Sequence, residues 1–185
     1  MNCYSTQNGL VLNNLLAFYN TDDNLAKMMQ IITGESRISL RLVDWFATNY
    51  AKKYYTLYTF VDEFGTDRRF KVYVDYKLKL KAYSKRRFDP FCRWDRISIP
   101  YKDGTSIETT IGQLNFFKWA LENKIIEYID LHYGEIEDDM NARNSTSKRK
   151  ELVDNSKTRK KREELSISAT KSIKKETVEI VVQFN

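Results

Sequence analysis

The chain has 185 residues, is 42% hydrophobic and 14% aromatic, and carries a net charge of +6; that suits one compact domain with extensions and enough apolar mass for a core. No run of about 18 apolar residues occurs, which excludes a membrane-spanning helix, and the start, MNCYSTQNGL, lacks the basic-then-apolar pattern of a secretion signal. Two cysteines, Cys3 and Cys92, and one histidine, His132, are too few for the usual zinc site or a disulfide framework, so no metal, no cofactor and a reducing compartment are expected.

Taken in chain order, Leu12, Leu15, Leu16 and Tyr19 recur at helical spacing. Thr21-Asp22-Asp23 supplies a cap and an acidic first turn for a second helix ending near Gly34. A third starts near Ser36, with Ile38, Leu42, Trp45, Phe46 and Asn49 on one face and Lys52-Lys53 favourable at its C-terminus. Tyr54 to Phe60 reads as a strand, followed by a turn over 62–67. From Phe70 to Ala82 the even positions are apolar, while the odd ones carry Lys71, Lys77, Lys79 and Lys81. That alternation predicts a strand over 69–83 with one buried and one cationic face. Tyr76, Leu80 and Tyr83 also fit helical spacing, so strand and helix both stay open for 76–84. Asp89-Pro90 ends the pattern, 96–101 forms a short strand, and Lys102-Asp103-Gly104 a tight turn. Thr110 and Gln113 make a capping box for a helix over 110–123, and a further helix covers 125–140.

Beyond Asn141 the composition turns to Ser, Thr, Asn, Lys and Arg, a flexible or fold-on-binding pattern. It ends in the β-prone run TVEIVVQF, which is expected to dock as an extra strand on this sheet or on a partner's. The expected organisation is therefore an α+β domain over 1–141, a basic arm over 142–176 and a terminal strand over 177–185. In the domain, a small, mostly antiparallel sheet packs against N-terminal and C-terminal helices.

Charge is gathered rather than spread. Residues 1–142 balance 19 basic against 19 acidic side chains, whereas 143–175 hold 12 basic and 4 acidic. Within the body, 68–96 holds 11 basic and 3 acidic residues. The candidate nucleic-acid contacts of this zone are Lys77, Lys79, Lys81, Tyr83, Lys85, Arg86, Arg87, Phe88, Arg93, Trp94 and Arg96. Cations would neutralise phosphates and aromatics stack on bases. The structural alternative is that the lysines solvate a strand face and that Phe88, Phe91 and Trp94 anchor the loop at i, i+3 and i+6. In the arm, Lys148, Arg149, Lys150, Arg159, Lys160, Lys161 and Arg162 form two clusters of the kind found in nucleic-acid arms and nuclear-import signals.

No catalytic constellation is visible, and none of the glycines builds a phosphate cradle. His132 reads as a boundary residue, Glu135, Glu137, Asp138 and Asp139 as a solvated helix face, and Cys92 lacks a histidine nearby in sequence.

Three strings, DYKLKLKAYSKRRFDPFCRW (75–94), TTIGQLNFFKWALENKIIEYI (109–129) and TRKKREELSISATKSIKK (158–175), resemble a family of uncharacterised proteins of nucleocytoplasmic large DNA viruses, over most of the chain from about residue 36. The resemblance implies replication in host cytoplasm, at a virus factory, with the virion or nucleus as other destinations. It implies a role in viral gene expression, genome packaging or the virion core, and carries over no catalytic residue. The chain does not look like the zinc-ribbon late transcription factors of those viruses, whose cysteine pairs it lacks. The expected function is sequence-independent binding of DNA or RNA without catalysis. The alternative is a virion-structural or interaction subunit that docks on another viral protein through its basic arm and C-terminal strand, with no membrane partner.

Overall fold

A computed structural model of the chain describes residues 7–21, 23–62, 64–94, 96–101, 105–153 and 175–177. Its helices are α1 (Gln7–Tyr19), α2 (Asn24–Thr33), α3 (Leu40–Trp45), α4 (Ala51–Lys53), α5 (Val72–Tyr83), α6 (Ile111–Glu122), α7 (Ile125–Leu131) and α8 (Tyr133–Val153). A π-helical turn, Phe46–Tyr50, joins α3 to α4, and a 3-10 turn, Lys85–Arg87, follows α5. The strands are β1 (Leu57–Val61), β2 (Asp67–Lys71), β3 (Arg96–Pro100), β4 (Thr105–Thr110) and β5 (Lys175–Thr177).

The chain is α+β, as expected, but its strands form two antiparallel sheets. One is the β1–β2 hairpin, with Tyr58 opposite Phe70. The other has the order β3-β4-β5, with Ile99 opposite Ile107 and Thr105 opposite Thr177. Pro100 ends the outer strand β3, an edge position of the kind where a sheet tolerates proline. Asp62 builds the hairpin turn by accepting from Phe64 N–H at 2.9 Å and Thr66 N–H at 3.0 Å.

Helix α6 is the spine. It is buried on every face but the stripe of Ile111, Lys118 and Glu122, with Leu114, Phe116, Phe117, Trp119 and Ala120 in the core. Its cap matches expectation: Thr110 Oγ1 accepts from Gln113 N–H at 3.2 Å. Tyr19 ties α1 to this spine by donating to the Leu114 carbonyl at 2.7 Å. The expected C-cap at Gly34 is present in the left-handed conformation (φ 81°). The expected cap on α2 is not: Asp23 occupies the position with φ 52° and makes no capping bond. The third helix begins at Leu40 rather than Ser36, because Ser39 is the residue that accepts from Leu42 N–H. The expected helix over 125–140 is broken at His132 into α7 and α8.

The expected strand over 69–83 ends at Lys71, and α5 replaces the rest. Val72, Tyr76, Leu80 and Tyr83 face inward at helical spacing, whereas Val74 and Leu78 are exposed. Two physical facts favour the helix. Lys, Leu and Ala are strong helix formers. A helix also brings the Asp75 carboxylate within 2.6 Å of the indole N–H of buried Trp119, which needs an acceptor. Helix α8 runs on through residue 153, into the stretch read as the arm. The last two residues of the arm, Lys175 and Glu176, pair with β4 together with Thr177, the first residue of the C-terminal run, and residues 178–185 lie outside the described residues.

Candidate nucleic-acid interface

Residues 84–94 are held against the N-terminus of α6 by a buried polar network. Gln113 Nε2 donates to the Pro90 carbonyl at 3.1 Å, and Gln113 Oε1 accepts from Thr109 Oγ1 at the same distance. Thr110 Oγ1 donates to the Cys92 carbonyl at 3.3 Å, Asn115 Nδ2 to the Arg87 carbonyl at 2.9 Å, and Asp89 N–H to the Gly112 carbonyl at 3.3 Å. Buried polar groups satisfied this fully fix one loop geometry. The approach requires glycine at 112, since a Cβ there would lie 2.8 Å from Cys92 Cβ and 3.0 Å from the Arg86 carbonyl oxygen. Ser84 opens the loop at φ 66°, ψ 161°, a region that favours glycine.

The fixed loop encloses an open cavity of about 570 Å³, lined by Lys85, Arg86, Arg93, Trp94, Phe91 and Asp89. Trp94 is 71% exposed, so its ring is available to a ligand. Phe88 is not: at 1% exposure it packs among Phe116, Trp119, Tyr76 and Tyr83. The expectation that Phe88 stacks on a base is therefore corrected; the core takes that ring. Tyr83 lies half-buried and parallel to Phe88, at 6.1 Å and 13°. Phe91 is half-buried, so the three loop aromatics divide between anchoring and display. Cys92 is buried, its Sγ–H directed at the Arg86 carbonyl at 3.2 Å.

The lysine row is dispersed by the helix. Lys77 and Lys81, four residues apart, share an exposed flank of α5. Lys79 turns instead into the cleft against the β1–β2 hairpin, beside Arg68 and Glu127. Arg87 is half-buried, and Arg96 reaches Glu108 at 3.5 Å across β3 and β4. Lys148, Arg149 and Lys150 fall on α8, while Arg159, Lys160, Lys161 and Arg162 lie outside the described residues.

Carboxylates beneath the loop are electrically strained. Burial raises the Asp44 pKa to about 6, the charge of Asp89 adds to this, and Lys85 offsets part of it. Burial likewise raises Asp89, against the Phe91 N–H and Lys85. Tyr76 rises to about 12 through burial and through the charges of Asp44 and Asp89.

Of the acidic set on α8, Glu135 and Asp138 are exposed, as expected from sequence, but Glu137 and Asp139 are partly buried. Asp139 accepts from Trp45 Nε1 at 3.0 Å, from Tyr54 OH at 3.2 Å and from Lys53. Burial alone would raise its pKa, but the bonds from Lys53 and Trp45 outweigh that and hold it below the usual carboxylate range. Tyr133 OH donates to Glu137 at 2.9 Å, and half-buried His132 rests 4.3 Å from the Tyr128 ring. Among the described residues, no group of three His, Cys, Asp or Glu side chains is placed to hold a metal, and no helix is long and apolar enough to cross a membrane.

Sequence reasoning missed β4, whose TSIETT pattern is weakly apolar, and a cluster around Lys52, Tyr55 and Arg143. The cluster depends on a π turn and on Tyr55 at positive φ, neither of which has a compositional signal.

Fold and site together define an α+β protein with a rigid cationic loop that displays one tryptophan. The chain belongs to a Family of unknown function (DUF7197), whose model matches residues 3–183. It is similar to "Uncharacterized protein L507" of Acanthamoeba polyphaga mimivirus, 46% identical over 145 residues, which covers 75% of this chain and 55% of that protein. The chain thus matches about half the length of that curated relative, and the giant-virus resemblance read from its three strings holds. No solved structure matches it.

Proposed function

We propose that the protein binds nucleic acid without catalysis, through the loop over 84–94 and the adjoining flank of α5, as an accessory factor in giant-virus gene expression or genome packaging. The observation that carries this reading is the convergence of Lys85, Arg86 and Arg93 with exposed Trp94 on one cavity. Cations there meet phosphates, and the indole stacks on a base in any sequence. Lys77 and Lys81 extend the track along α5, and the basic residues after 143 add a sequence-independent contribution.

Purified full-length chain titrated with single- and double-stranded DNA and with RNA, at about 50 and about 200 mM salt, tests the reading. Five or so phosphate contacts make affinity fall by about a hundred-fold for single strands and about five hundred-fold for duplex DNA across that range. No binding at the lower salt, or binding insensitive to salt, overturns it. We place the protein in the infected host's cytoplasm.

A further inference from the structure

A second cavity lies where the π turn, α4, α5 and α8 meet. Its volume is about 690 Å³, within the span of small-ligand sites. Lys52, Lys53, Arg143, Asn49, Tyr55 and Tyr73 stand in its wall, so among the described residues three cations face one carboxylate, Asp139. That carboxylate is already committed to Trp45, Tyr54 and Lys53.

The cations are positioned in advance. Arg143 donates to Asn49 Oδ1 at 2.9 Å, and its guanidinium carbon lies 5.3 Å from the centre of the Trp45 ring. Lys52 Nζ sits 5.7 Å over the Tyr73 ring. A guanidinium and an ammonium fixed this way lose little freedom when an anion arrives.

The aromatic component is Tyr55. The residue is 88% exposed, and its backbone sits at φ +52°, a conformation that costs a tyrosine energy. The strain is fastened by Thr56, which is buried and donates its N–H to the Ala51 carbonyl at 3.1 Å. The adjacent π turn, Phe46–Tyr50, is of a type that recurs at functional sites. An excess of fixed cations beside a displayed flat ring matches a ligand with an anionic end and a planar end.

The geometry points to a nucleotide site: Lys52 and Arg143 hold the phosphate of a nucleoside monophosphate unit, and Tyr55 stacks on its base. The unit is a free nucleotide or the 5′-phosphorylated end of a strand. An acidic peptide would satisfy the cations but leave Tyr55 without a flat partner. The inference stands on this cavity alone and does not need the loop over 84–94. Tyr73 also begins the groove along α5 that contains Lys77 and Lys81, so a strand end seated here would lead towards that loop.

Calorimetric titration of the full chain with adenosine 5′-monophosphate, adenosine and inorganic phosphate tests the assignment. We expect the monophosphate to bind at least about tenfold more tightly than adenosine. Lys52→Gln weakens monophosphate and phosphate alike by about tenfold. Tyr55→Gly, which relieves the backbone, keeps or raises the melting temperature, leaves phosphate unchanged and weakens the monophosphate by about fivefold or more. Equal binding of monophosphate and adenosine, or no effect of either substitution, overturns the site. A 5′-phosphorylated trinucleotide that displaces the monophosphate, where its 5′-hydroxyl counterpart does not, identifies the ligand as a strand end; displacement by neither identifies a free nucleotide. Substituting Arg93 and Trp94 separates the two readings, since it disturbs oligonucleotide binding at the loop and leaves the monophosphate isotherm unchanged.

Discussion

Two single residues, Gly112 and Ser84, decide how rigid the loop is. Gly112 admits no side chain, because both the Cys92 Cβ and the backbone oxygen of Arg86 stand in the way. We expect Gly112→Ala to destabilise the fold by about 1–3 kcal/mol, measured by urea unfolding; an unchanged midpoint would show that the loop shifts freely. Ser84→Gly should act oppositely, raising stability by about 1 kcal/mol because glycine adopts its dihedrals without strain. Asp44 sets a pH dependence. In the folded chain it keeps its proton up to about pH 6, whereas an unfolded aspartate releases it near 3.8. The folded state therefore binds more protons in that window, and stability falls as pH rises through it. The loss is complete above about pH 6 and, for about two pKa units, on the order of 3 kcal/mol. Asp44→Asn should flatten unfolding free energies measured between pH 4 and 7; a profile as steep as the parent's would place the cause elsewhere.

At the level of elements, legibility followed how local each signal is. The cap at Thr110, the αL stop at Gly34 and the hairpin turn at Asp62 depend on a few neighbouring residues, and all three positions were readable. Helix α5 was readable only as an alternative to a strand over 76–84, because its decisive contact is Asp75 with Trp119, 44 residues away. Alternation of Leu and Lys satisfies a strand on paper, and only tertiary contact chooses. The same holds within the site. Phe88 and Trp94 look equivalent in sequence, yet α6 captures the first and leaves the second in solvent. Since Lys77 and Lys81 share a flank of α5, we expect replacing both by alanine to reduce the slope of log affinity against log salt by about two. Replacing Lys79, which turns into the hairpin cleft, should leave that slope within error; a matching loss would mean that the whole helix surface binds.

For the molecule as a whole, α6 joins stability to function. The helix that fills the core also fastens the loop carrying Lys85, Arg86, Arg93 and Trp94, so the exposed tryptophan rests on a rigid support. A ring displayed this way is expected to report directly on a bound base. Titrating the full chain with a single-stranded oligonucleotide while following tryptophan emission, beside the Trp94→Phe chain, is therefore the most direct measurement. We expect strong quenching that Trp94→Phe removes, with the melting temperature unchanged, and binding that Trp94→Ala weakens by about 1–3 kcal/mol. Quenching that survives the substitution, or affinity that does not change, would contradict the assignment of the loop as the nucleic-acid contact.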